Sequence, residues 1–301
     1  MKRFTIILSV MLLCASSLFA QNIFFGNKKV KASNVYVTKD IRVSDFDRIQ
    51  LSGSMDMVYE QKSGKPSLEI YASDNIVNLL EVDVEDGLLT IRFKKGYSIS
   101  SGKVQIRATS ANLYGVSLAG SGSIDLSKGI KTNHLTVQLS GSGDVMGKNI
   151  FCQEDLRVAI SGSGDVDMQQ LVCNQFGVSL SGSGDVEINN IDANNAKVSV
   201  AGSGDMKLRS LTCAKANVEV AGSGCIEMYG KSNDAQFEVA GSGEISAAGF
   251  EAKQVAVSIA GSGDVECYAT DYLKASIAGS GEVGYKGNPE LNVPKRGVHK
   301  L

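Results

Sequence analysis

The residues of this chain most able to do chemistry are carboxylates placed at one recurring position. Asp144, Asp165, Asp185, Asp205, Glu244, Asp264 and Glu282 each follow directly on a Gly-Ser-Gly triplet. If successive triplets stack as neighbouring strands do, the carboxylates form a row with members ~4.8 Å apart. Adjacent like charges repel, and calcium, a hard cation that takes oxygen ligands, would relieve the repulsion. Asp144, Asp165, Asp185, Asp205 and Asp264 are the candidate calcium row. The other reading is that each aspartate caps its own turn and is solvated. Three features favour it. Cys225 interrupts the row, few other oxygen donors lie nearby, and the nonapeptide glycine pattern of calcium-binding β-rolls is missing.

Apart from that calcium row no cofactor is indicated, and catalysis has little to work with. His134 and His299 are the only histidines, and neither has a nucleophile or a metal partner at a useful spacing. The serines lack a nucleophile elbow. Enzymes built on parallel β-helices cluster their carboxylates on one face, whereas these are tied to corners, which is a scaffold pattern. The expectation is a protein that is not an enzyme. Trp is absent, and Tyr229, Tyr268 and Tyr272 are the few repeat-face rings on which a sugar could stack. A formal net charge of −2 without a basic stripe argues against a nucleic-acid partner.

The triplet itself returns nine times, beginning at Gly120, Gly141, Gly162, Gly182, Gly202, Gly222, Gly241, Gly261 and Gly279. A period near 20 residues is the signature of a solenoid, in which each unit covers its neighbour's apolar face. Within each unit apolar residues alternate with polar ones. Before the corner stand Leu156, Val158 and Ile160, or Phe176, Val178 and Leu180; after it stand Val166 and Met168, or Val186 and Ile188. A third pair follows, Leu171 and Cys173, or Ile191 and Ala193. Period-two alternation with one apolar side is a half-buried strand. Three short strands per unit predict an all-β fold, a right-handed parallel β-helix with about 20 residues per coil. Eight steps give a rod on the order of 38 Å long. The rival is an antiparallel meander with each triplet as a hairpin turn, which leaves the third apolar pair unexplained.

The N-terminus has a basic start, Lys2-Arg3, an apolar run to Phe19, and a small residue at Ala20. It reads as a secretory signal peptide, too short to be a transmembrane helix. Met11-Leu12-Leu13 before Cys14 lacks the small residues of a lipidation site. Five cysteines follow the leader: Cys152, Cys173, Cys213, Cys225 and Cys267. An odd number argues against a complete disulfide framework. Cys152, Cys173 and Cys213 share one repeat position, occupied by Ala193 in the coil between, so they read as small buried side chains in a column. The alternative is a Cys152–Cys173 bridge between neighbouring coils.

The predicted organisation is a signal peptide over 1–20, a flexible Lys-rich leader over 21–34, a less regular β-rich N-terminal layer over 35–110, repeats over 111–288 and a tail over 289–301. In the layer, Glu85-Asp86-Gly87 marks a hairpin. Asp74–Leu80 could form one helical turn, capped by Ser73 or Asp74.

The layer's residues Val43-Ser44-Asp45-Phe46-Asp47-Arg48-Ile49, Leu51-Ser52-Gly53-Ser54, Asp74-Asn75, Glu81–Gly87 and Leu89-Thr90-Ile91 resemble the domain called head GIN, also labelled an auto-transporter adhesin. The Gly-Ser-Gly-Asp coils and Gly284-Tyr285-Lys286-Gly287-Asn288-Pro289 match it too, and the resemblance covers about 35–293. It implies an exported β-helical envelope protein of Gram-negative bacteria, in the periplasm or at the outer-membrane or cell surface. The twelve residues after Pro289 hold no membrane β-barrel translocator, and the closing Gly-Ser-Gly strand of the family is absent there. The first reading of function is a non-catalytic adhesin or interaction scaffold whose partner is a surface, a glycan or a protein. Exposed coil ends could also pair with a second copy to form a homo-oligomer. The second is a ligand-binding module for calcium, glycan or lipid, and the third a polysaccharide-active enzyme.

Overall fold

Alternation in the sequence becomes burial in the structure. The computed structural model describes residues 28–301, so the signal peptide expected over 1–20, Cys14 and the first part of the expected leader lie outside the described residues. In the coil Asp165–Gly182 the inward side chains Val166, Met168, Leu171, Cys173, Phe176, Val178 and Leu180 are all buried. The next coil matches them in parallel register, Val166 beside Val186, Leu171 beside Ile191 and Leu180 beside Val200. Repeated along the chain, this gives an all-β solenoid of about 9 turns with ~20 residues per coil. The parallel ladders exclude the meander. Burying each Val, Leu or Ile contributes about 1.5–3 kcal/mol, so every coil is held mainly by covering the next.

Three short strands per coil were expected, yet from Asp165 onward most coils are one continuous strand, as in Asp165–Gly182, Asp185–Gly202 and Glu244–Gly261. The ladder carries on through two gentle bends. These bends appear as two consecutive exposed residues, Gln169-Gln170 and Asn174-Gln175, where the alternation slips by one. In these coils only the Gly-Ser-Gly corner breaks the strand. There Gly162 has φ +131°, and a Cβ on it would lie 2.3 Å from the Gly141 carbonyl oxygen. The Ser163 N–H donates to that same carbonyl at 2.9 Å, so corner stacks directly on corner.

The N-terminal layer departs from the simple order. Arg48–Ser52 pairs in parallel with Leu88–Phe93 on one side and Gly115–Gly120 on the other. Asp56–Gln61 likewise lies between Val104–Ser110 and Ser123–Leu126. The coil first in sequence is therefore second in space, and the coil over 88–110 lies outside it. Tyr59, fully buried, ties the crossing: its hydroxyl lies 2.9 Å from Ser110 Oγ. Beyond the outer coil the sheets turn antiparallel. Leu80–Glu85 pairs with Leu88–Phe93 through the expected hairpin, with Asp86 and Gly87 both at positive φ. Ser67–Ser73 adds to Val104–Ser110, and Tyr36–Ile41 adds to Ser67–Ser73.

Three local expectations change. Lys28–Lys31, within the predicted flexible leader, is a strand paired with Tyr97–Ser101. The helical turn is a 3-10 turn over Val77–Leu79 with Ile76 at its N-cap and no side-chain cap. Ser73 and Asp74 are engaged instead by Ser33: its carbonyl accepts from the Ser73 hydroxyl, and its hydroxyl donates to Asp74. The tail, too, joins the solenoid: Glu290–Asn292 and Val298–Lys300 pair in parallel with the coil before them.

Candidate functional site

The side chains that follow the corners project from one outer face, and the parallel register lines them up. Asp144 pairs with Asp165, Asp185 with Asp205, Asp205 with Cys225, Cys225 with Glu244, and Glu244 with Asp264. The structure thus brings Asp144, Asp165, Asp185 and Asp205 together in consecutive coils and sets Asp264 beyond Cys225 and Glu244. All five aspartates are exposed.

Three of the five aspartates make a bond that differs from the cap of their own turn. Asp165 Oδ1 accepts the backbone N–H of Asp185 at 2.9 Å, Asp205 Oδ1 that of Cys225 at 3.2 Å, and Asp264 Oδ1 that of Glu282 at 2.8 Å. Each of these three carboxylates caps the corner of the next coil, not its own turn. Among the described residues no group of three or more His, Cys, Asp or Glu side chains is arranged to hold a metal ion.

The adjacent column on this face balances charge locally. Lys207 Nζ lies 2.5 Å from Glu227 Oε2, and Arg209 Nε 2.6 Å from Glu187 Oε1. Hydrogen bonds from Lys207 and from the Tyr229 hydroxyl hold the Glu227 carboxyl below the usual carboxylate range. Of the ring candidates, Tyr229 is tied into this cluster and the Tyr272 hydroxyl accepts from Asn292 Nδ2 at 3.1 Å. His134 stacks on Tyr114 at 4.8 Å between centroids, and His299 Nδ1 lies 3.9 Å from Glu282 Oε2.

Among the described residues the five cysteines are all free, without a Cys152–Cys173 bridge. Side chains at equivalent points of parallel strands run side by side. Burial pushes the thiols of Cys152, Cys173, Cys213 and Cys267 up to about 12, and that of Cys225 to about 11. A thiol so protonated is a poor nucleophile and a poor metal ligand.

Sequence reasoning missed one feature at the N-terminal end of this face. A groove of about 640 Å³ opens there, with Tyr36, Tyr71, Asp56, Glu69, Gln105 and Arg107 among its lining. Its residues come from four strands whose pairing no short-range pattern announces.

A solenoid with corner-stacked glycines, an antiparallel cap and an outer face of ordered columns has known relatives. Residues 45–218 and 176–289 match the family described as "putative auto-transporter adhesin, head GIN domain". No curated protein sequence matches the chain. Among solved structures, a "putative lipid binding protein" from Parabacteroides distasonis is 28% identical, with a TM-score of 0.56 over 91% of this chain and 100% of that one. A "putative adhesin" from Parabacteroides merdae, 24% identical with a TM-score of 0.51 over 91% and 99%, shares the fold. So does a second from Parabacteroides distasonis, 21% identical with a TM-score of 0.55 over 91% and 100%. With the family model spanning well over half its length, the chain belongs to the head GIN domain family.

Proposed function

We propose that this chain is an exported, non-catalytic interaction module of the bacterial cell envelope, adhesive or scaffolding, that presents its outer faces to a partner surface. One observation carries the reading. Parallel stacking in register turns the outward residues of every coil into straight columns on a rigid support, and pre-ordered groups bind with less entropy to lose. The adhesin description of the family supports it. Among the described residues, no helix is long and apolar enough to cross a membrane.

Protease shaving of intact cells, followed by detection of the chain, tests it. Digestion without lysis supports contact outside the cell. Protection until the outer membrane is opened removes the adhesive role and leaves a periplasmic scaffold. A second reading, lipid binding, rests on the name of the 28% identical relative. Flotation of the chain with phospholipid vesicles supports it, and recovery of all the protein in the bottom fraction refutes it.

A further inference from the structure

We propose that the groove beside Tyr36 and Tyr71 is a saccharide-binding site for an uncharged glycan chain; the inference deepens the reading of the protein as an interaction module and names its ligand class. The site is built across four adjacent strands. Thr38 pairs with Tyr71, Tyr71 with Gln105, and Gln105 with Asp56. Tyr71 and Asp56 therefore flank Gln105 from either side, two strand spacings or ~9.6 Å apart. That gap leaves room for a ring-shaped ligand lying over the amide. The groove's volume of about 640 Å³ lies within the range of small-ligand clefts.

The lining has the two kinds of surface a pyranose needs. Tyr36 and Tyr71 stack at 5.2 Å between centroids with 17° between their planes, yet stay 38% and 37% exposed. This makes a firm aromatic wall for the C–H face of a sugar. Opposite and beneath it lie hydrogen-bonding groups fixed by their neighbours. Glu69 Oε1 accepts from Arg107 Nη1 at 2.9 Å, and Asp56 Oδ1 accepts from the Ser123 hydroxyl at 3.0 Å. Each carboxylate keeps its second oxygen for a sugar hydroxyl, and Gln105 offers both a donor and an acceptor.

Charge selects among ligands. Asp56 and Glu69 are balanced by Lys103 and Arg107, so the lining has no net charge. A polyanion would meet the two carboxylates, and a cation the two basic groups. An acyl chain would find only Val58 and Ile106 as aliphatic lining. An uncharged polyhydroxyl ring satisfies all of these groups at once.

The test uses the purified full chain. With no Trp present, tyrosine fluorescence can be followed directly, and calorimetry checks the same isotherm because seven of the nine tyrosines lie outside the groove. Titrations with linear oligosaccharides of glucose, mannose, galactose and N-acetylglucosamine are expected to give a saturable isotherm with at least one of them. Tyr71→Ala is expected to weaken that binding at least tenfold and Tyr36→Ala to weaken it as well. Tyr71→Phe should keep it within about threefold, and Tyr229→Ala, on the same face but far from the groove, should leave it unchanged. Calorimetry reads the same affinities where a tyrosine has been removed. Absence of binding across the panel overturns the proposal, as does binding insensitive to Tyr71→Ala. Binding of dextran sulfate or phospholipid vesicles in place of neutral sugars overturns it equally. A chain digested on intact cells that binds no sugar refutes the groove and leaves the interaction module standing. A sugar-binding chain protected inside the cell keeps the groove and removes adhesion.

Discussion

Gly184→Ala separates the cost of stacking from the cost of backbone conformation. Gly184 is the second glycine of its corner, and a Cβ there would sit 2.1 Å from the Gly164 carbonyl oxygen of the preceding coil. Ordinary contact begins near 3.4 Å, so the two coils must part by roughly 1 Å in a ladder spaced ~4.8 Å. Parting strains the bonds on either side, Ser183 N–H to Gly162 O at 2.9 Å and Asp185 N–H to Asp165 Oδ1 at 2.9 Å. Overpacking costs about 1–3 kcal/mol, and each weakened bond adds about 1 kcal/mol, so the expected loss is ~3–5 kcal/mol. Gly64→Ala is the control. Gly64 has φ +113° but no atom within 4 Å of a Cβ, so only conformational strain of roughly 1–2 kcal/mol applies. Urea unfolding followed by far-ultraviolet circular dichroism measures both. In a quasi-one-dimensional array a weak central interface also uncouples the flanking halves, so the transition of Gly184→Ala should broaden or divide. If Gly184→Ala costs no more than Gly64→Ala, direct backbone stacking is not what demands glycine at the corner.

Three further outcomes are expected. The raised thiol pKa values make stability pH-dependent: unfolded thiols ionise from about 9 while the folded ones hold their protons to about 12. The thiol contribution is complete below 9 and is lost as pH rises toward 12; urea midpoints across that window should fall, and fall less in Cys173→Ala. Asp165→Ala removes the acceptor for the Asp185 N–H and should cost about 0.5–1.5 kcal/mol, whereas a chelator should leave the wild-type melting temperature unchanged; an upward shift with calcium refutes the capping role as the whole account of the row. Tyr59→Phe should cost about 1 kcal/mol by thermal unfolding, no more, because Ser110 Oγ still donates to the Asn112 carbonyl.

What the sequence made legible was whatever repeats at short range. Val166, Met168, Leu171 and Cys173 announce their burial by alternation alone, and the period of the triplet places Leu180 beside Val200 without any three-dimensional information. Asp86-Gly87 announces its hairpin because positive φ at both positions suits those residues. Bends were read as strand ends because a slip in alternation at Gln169-Gln170 looks the same in either case. The bonding of the aspartates escaped because an acceptor for a backbone N–H some 20 residues ahead has no local mark. The groove escaped for a stronger reason: Tyr36, Tyr71, Gln105 and Asp56 meet only through pairings between distant strands, two of them antiparallel.

The permuted first coils and the antiparallel cap have a common physical cause. A parallel solenoid ends in a row of unpaired backbone groups and an uncovered core, and both invite addition of another chain. At the N-terminal end the ladder closes by reversing direction: Leu80–Glu85 covers one sheet, Ser67–Ser73 and Tyr36–Ile41 the other, while buried Ile76 and Val77 plug the core. To supply those reversing strands the chain must leave the coil over 48–61 and come back outside it, which is why the coil first in sequence is second in space. At the other end Glu290–Asn292 and Val298–Lys300 each pair on one side only among the described strands, and the segment joining them carries Pro294, Lys295 and Arg296, a proline and two cations that make a poor template for a further strand. With the N-terminal end closed in this way, the tyrosine groove opens beside the cap and the columns stand along the sides of the solenoid.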